Sequence, residues 1–239
     1  MKRYQVQTFN DIVAPDLQKQ VWEYVLGQEY WAERKTLPYP GTTITVKYTP
    51  NQNKKEYLDE TLAPANNQYM HRCSFGKTEE DLKNHPVIQD LWNTINSYFD
   101  NQFEIAGNPE YAAGDEARIY VNVQPQETIK RTHTIHRDTK DLEETKNYTL
   151  LYMANPEWHP SWFAENIYYE DDDNSKDKQQ FQKGFGQSRG FGIGESFLTV
   201  HPTPGKVILY DGRTLHTTKP AAVWAPEMRY AVAFRIKKK

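Results

Sequence analysis

From residue 118 onward the chain breaks into eight short runs rich in β-branched and aromatic residues, set apart by Pro, Gly, Asn and Asp. The runs span 118–123, 132–136, 148–154, 166–170, 197–200, 206–210, 214–218 and 229–236. Strands this short and numerous, joined by turns such as Pro202-Thr203-Pro204-Gly205, predict a mainly β protein with a double-stranded β-helix (jelly roll) or barrel core. Such a core has two faces to cover, and the front third of the chain supplies helices for one of them. Pro15-Asp16 starts a helix that carries Leu17, Val21, Tyr24 and Val25 on one side. A second begins near Pro86 and aligns Val87, Leu91, Ile95, Tyr98 and Phe99. Both are expected to pack, and Trp22 and Trp92 belong to core or rim. The 239 residues are read as a single domain, with a helical front over 1–117 and a jelly-roll core over 118–236.

Several function classes are disfavoured. The net charge of -3 provides no basic field for nucleic acid or anionic lipid. A lone cysteine, Cys73, excludes an internal disulfide framework. Residues 1–10 have no apolar signal region and no long apolar run follows, so a cytoplasmic protein is expected, with no membrane partner. There is no P-loop, no GxSxG elbow and no CxxC pair. The Gly184–Gly194 cluster has neither a leading strand nor a following helix, so it is no phosphate cradle. The long charged and Gly-rich stretch 171–196 is read as a lid or an insertion.

The residues able to carry chemistry are His136-Arg137-Asp138 and, eighty positions on, His216. On an extended segment, i and i+2 point the same way, so His136 and Asp138 can share one ion while Arg137 points elsewhere. With His216 from a later strand they form a two-imidazole, one-carboxylate facial triad, the donor set of non-haem Fe(II) sites with open positions. A His-x-Asp pair alone carries little weight in a chain with seven histidines. Neither residue suits a sheet interior without a partner, however. His133 lacks a carboxylate two residues on. In the last strand, alternation sets Arg229, Ala231, Ala233 and Arg235 on one face and Tyr230, Val232, Phe234 and Ile236 on the other. The first face puts a guanidinium beside two small side chains, which leaves room for an acidic ligand. Arg213, Lys219 and Arg235 compete with Arg229 for that role but do not open a strand in the right place.

The order of these segments resembles the prolyl 4-hydroxylase-like branch of the 2-oxoglutarate/Fe(II) dioxygenases over about half the chain. His136-Arg137-Asp138 matches the family's His-x-Asp, and Tyr148 to Asn155 is similar to its apolar strand ending in Leu-Asn. Trp162-Phe163-Ala164-Glu165-Asn166 is similar to its Gly-Gly-Glu segment with both glycines replaced. Pro202 to His216 resembles its Pro-x-x-Gly, apolar strand, Asp and distal His, and Arg229-Tyr230-Ala231 its basic position. The resemblance implies iron ligated by His136, Asp138 and His216, with Arg229 and Tyr120 on the co-substrate 2-oxoglutarate. It also implies O2, ascorbate as an optional reductant, and hydroxylation of a peptide or small molecule, a peptidyl proline first. Two other readings differ in class: a non-redox jelly-roll binding or structural protein, and a cupin-like metal isomerase or hydrolase. The first would lack converging metal ligands. The second would need a further acid or base and no carboxylate-binding Arg.

Overall fold

A computed structural model describes residues 3–28, 30–35, 43–49, 54–57, 71–105, 118–124, 135–139, 147–171 and 193–239. Among these residues two antiparallel sheets form. The larger orders β1 (Val6–Phe9), β11 (Val207–Asp211), β8 (Asn147–Met153), β13 (Arg229–Lys238), β7 (Ile119–Gln124), β5 (His71–Gly76), β2 (Tyr30–Lys35), β3 (Thr43–Thr49) and β4 (Lys54–Tyr57). Strand β6 (Phe103–Ile105) pairs with the far end of β13. The smaller sheet runs β10 (Ile193–Val200), β9 (Asn166–Asp171) and β12 (Leu215–Thr218). The architecture is a jelly roll backed by helices.

Strand parity decides what lies between the layers. On β13, Tyr230, Val232, Phe234 and Ile236 join a core shared with α1 (Pro15–Leu26) and α2 (Pro86–Tyr98). Ala231 and Ala233 turn the other way, into a cluster with Tyr120, Leu151, Met153, Tyr168, Ile208 and Tyr210. That second cluster draws on both sheets and is the interior of the roll. Helix α2 buries Ile88, Leu91, Trp92 and Ile95, the i, i+3, i+4, i+7 stripe of a helix lying on a sheet. Trp92 stacks 5.3 Å from Phe234, ring centre to ring centre. Helix α1, with Pro15 in its first turn and Asp16 beside it, buries Val21 and Val25. Fully burying each such aliphatic side chain contributes about 1.5–3 kcal/mol. The helices thus cover one side of the large sheet and leave its other face to the interior of the roll.

The front of the chain also adds strands to the large sheet. β1 pairs with β11, and β5 pairs with β7. Residues 193–196, expected within the loop, are the start of β10. Asp171, also expected in the loop, ends β9, and residues 172–192, like His133, lie outside the described residues. No helix among the described residues is long and apolar enough to cross a membrane.

Candidate metal centre

Residues 136 and 216 face each other across an antiparallel bridge, with His136 N to His216 O and His216 N to His136 O both at 3.0 Å. Two residues on, the backbone N–H groups of Asp138 and Thr139 both donate to Gly212 O, at 2.8 and 3.0 Å. This pair of contacts clamps the loop 135–139 onto the strands that carry His216. The Nε2 atoms of His136 and His216 each lie 3.6 Å from Asp138 Oδ1. That is too long for a hydrogen bond, yet one ion with bonds of about 2.1 Å can bridge it. All three ligand atoms lie within 4.8 Å of one another.

The surroundings fix the state of each ligand. His216 Nδ1 lies 2.9 Å from Thr214 O, so the ring's proton sits on Nδ1 and the Nε2 lone pair faces Asp138. Burial pushes the His216 imidazole down to about 4, against the pull of Asp138, so it is neutral at physiological pH. For Asp138, burial favours the protonated form. Arg235, then His216, His136 and the Thr149 hydroxyl outweigh it and hold the carboxyl far below the usual range. Burial likewise opposes the Arg235 charge, but Asp138 raises the guanidinium above its ordinary value. The outer carboxylate oxygen, Asp138 Oδ2, accepts from Thr149 Oγ1 at 2.6 Å and Tyr210 OH at 2.7 Å, and lies 2.6 Å from an Arg235 terminal nitrogen. Arg137 points away from this centre, to Asp171 at 2.8 Å and Arg213 O at 2.7 Å.

Arg229 sits at the other end of the same face of β13, 3% exposed. One terminal nitrogen donates to Ala164 O at 3.0 Å and Asn166 Oδ1 at 3.2 Å. Its Nε, together with Tyr168 OH and Asn166 Nδ2, is buried without a hydrogen-bond partner among the described residues. Burial lowers the Arg229 guanidinium to about 10, which leaves it charged at neutral pH. Burial raises the Tyr168 phenol, so it stays a neutral donor. Three buried donors therefore lack a hydrogen-bond partner among the described residues, and a bound anion would satisfy them. The Ala164 carbonyl is aimed by an unusual turn, since Phe163 (φ 57°) and Ala164 (φ 65°) both keep the left-handed backbone without glycine. Tyr120 faces the same interior but accepts from Arg235 Nε at 3.1 Å.

No family model matches the chain, and no curated protein matches it. Solved structures do. A prolyl hydroxylase from Trichoplax adhaerens, in complex with a hypoxia inducible factor oxygen degradation domain peptide, superposes with TM-score 0.53 at 14% identity, over 98% of this chain and 83% of that one. The fold is that of a prolyl hydroxylase. AviO1 from Streptomyces viridochromogenes Tue57 shares it, with TM-score 0.51 at 9% identity over 99% of this chain and 90% of its own. Thr149 and Tyr210, which donate to Asp138, Asn166, which accepts from Arg229, and Tyr168, which packs beside His216, are neighbours of the candidate site that sequence reasoning missed. Each lies on a short strand that borders the roll's interior, but parity alone leaves open which side of that strand faces inward.

Proposed function

We propose that this chain is an Fe(II)- and 2-oxoglutarate-dependent oxygenase. His136, Asp138 and His216 would hold the iron, and Arg229 would anchor the far carboxylate of 2-oxoglutarate. The observation that carries this reading is a pairing of opposites inside one roll. Three metal-ligating atoms converge at one point, and Arg229 Nε, Tyr168 OH and Asn166 Nδ2 are buried donors without a hydrogen-bond partner among the described residues, Tyr168 standing directly across from His216. A diacid bound to the metal through one end and to Arg229 through the other meets both needs. Two imidazoles and one carboxylate leave metal positions open for it, as the facial triad requires.

Bound together, iron and 2-oxoglutarate supply the oxidation of a C–H bond by O2, with succinate and CO2 released. The chain's own residues perform the holding. Thr214 O sets the His216 tautomer, and Gly212 O anchors the loop that carries Asp138. Ala164 O and Asn166 Oδ1 orient the Arg229 fork so that its remaining N–H groups meet a carboxylate bidentately. Ala231 and Ala233 leave the width for the carbon chain between. Tyr120 lines this path opposite Ala233 and adds a hydroxyl beside it. No side chain has to serve as an acid or base.

For the oxidised group we take a peptidyl proline, on the ground that the Trichoplax enzyme is a prolyl hydroxylase seen with a peptide. Aerobic incubation with Fe(II) and 2-oxoglutarate tests the class. Slow conversion to succinate, lost in the Asp138→Ala variant, is expected, and proline-containing peptides should accelerate it. Absence of succinate with every peptide would contradict the proposal.

A further inference from the structure

The two oxygens of Asp138 live in different surroundings, and the difference assigns work to Arg235. Oδ1 faces the two histidine Nε2 atoms at 3.6 Å. Oδ2 faces away from them and is met by Thr149 Oγ1, Tyr210 OH and the Arg235 guanidinium, all within 2.7 Å. We infer that Arg235 is a positioning residue for the metal carboxylate: it captures Oδ2, so that Asp138 presents Oδ1 alone and ligates through one oxygen. The inference rests on the reading that the triad holds a metal.

The guanidinium is itself built into place. Its Nε donates to Tyr120 OH at 3.1 Å and a terminal nitrogen to Thr149 Oγ1 at 3.0 Å. Thr149 is the residue directly opposite Arg235 in the pairing of β13 with β8. Thr149 therefore accepts from Arg235 and donates to Asp138, which closes a small ring of three groups. A carboxylate with both oxygens unengaged can turn and ligate through two, taking a position that a chelating co-substrate needs. Three donors on one oxygen prevent that turn. The ion pair sits on one chosen oxygen of a metal ligand, which a merely structural pair would have no reason to select. Mutating the partners of metal ligands commonly costs about 10–100-fold in metal affinity or activity, through ligand orientation and basicity.

Co(II) binding is the test, read by its visible d–d absorption under anaerobic conditions. Near-UV circular dichroism shows that each variant is folded. Arg235→Met is expected to raise the Co(II) dissociation constant about 10–100-fold and change the d–d bands as a second carboxylate oxygen enters. Arg235→Lys, which keeps one charged donor, should recover most of the affinity. Thr149→Val keeps the side chain's shape and should shift the constant in the same direction by a smaller factor. A folded Arg235→Met protein with wild-type affinity and bands would overturn the inference, even if its melting temperature fell. Should that variant not fold, wild-type affinity and bands in Thr149→Val would overturn it. If Co(II) is held by the wild type and lost in His216→Ala, failure of the Arg235 arm leaves the metal reading standing. A wild-type protein that takes up no Co(II) overturns both.

Discussion

Arg229 and Arg235 share a strand and a face, six residues apart, and the chain uses them in opposite ways. Arg235 is crowded with partners, holding Asp138, Thr149 and Tyr120 at once. Arg229 donates to a carbonyl and one amide oxygen, and its Nε is buried without a hydrogen-bond partner among the described residues. Their charges respond accordingly. Burial lowers Arg229, whereas the carboxylate beside Arg235 outweighs burial and raises it. A buried cation already paired is committed to structure or positioning. A buried cation left short of acceptors awaits a ligand. Residue type and parity cannot separate these cases; only the partners do.

The sharpest way to break this comparison is to remove the centre that Arg235 serves. Asp138→Ala and His216→Ala should each abolish stoichiometric metal binding, measured as Fe or Mn retained per chain after anaerobic desalting. Full retention in either would dissolve the Arg235 end of the contrast. Next in size, Arg229→Ala should weaken 2-oxoglutarate binding by about 3–5 kcal/mol, roughly two to four orders of magnitude, with metal binding intact. Unchanged 2-oxoglutarate affinity by calorimetry would transfer the anchoring role to another cation. Tyr168→Phe removes one unsatisfied donor and should cost about 1–2 kcal/mol of 2-oxoglutarate affinity. The same change should not weaken the ligand-free fold, because the hydroxyl has no hydrogen-bond partner among the described residues to lose; a drop in melting temperature would show that it had one. The smallest effect belongs to the turn that aims Ala164 O. Replacing a helix-interior Ala by Gly usually destabilises by about 0.5–1 kcal/mol, but relief of the left-handed strain should make Ala164→Gly neutral or stabilising. A clear loss of stability on thermal melting would mean that this backbone is not strained.

Much of the contrast is legible in the sequence. Parity along Arg229 to Ile236 separates the two faces of β13, because a two-residue period needs no knowledge of the partner strands. The His136–Asp138 pair is legible for the same reason. What sequence cannot supply is register. That Thr149 stands opposite Arg235, and that Tyr210 reaches Asp138 across seventy-two positions, follows from long-range pairing that local pattern leaves open. Tyr168 and Tyr169 are adjacent on one strand, and nothing local says which of them faces the interior. Phe163 and Ala164 stand where the resemblance has two glycines, and both nonetheless take positive φ. The strands β1 and β5 join the large sheet through distant partners, β11 and β7, which is why the front reads mainly as helices.

The central claim is that one interior holds both a metal and a diacid, the metal near Arg235 and the far carboxylate at Arg229. Anaerobic titration of the Fe(II)-loaded protein with 2-oxoglutarate tests it most directly, because chelation through the 2-oxo acid end gives a weak visible charge-transfer band. The account predicts a saturable band in the wild type, at one equivalent per chain. The band should be absent in His216→Ala and present in Arg229→Ala only at far higher 2-oxoglutarate. A wild-type protein that binds Fe(II) but develops no band at any concentration of 2-oxoglutarate would contradict it.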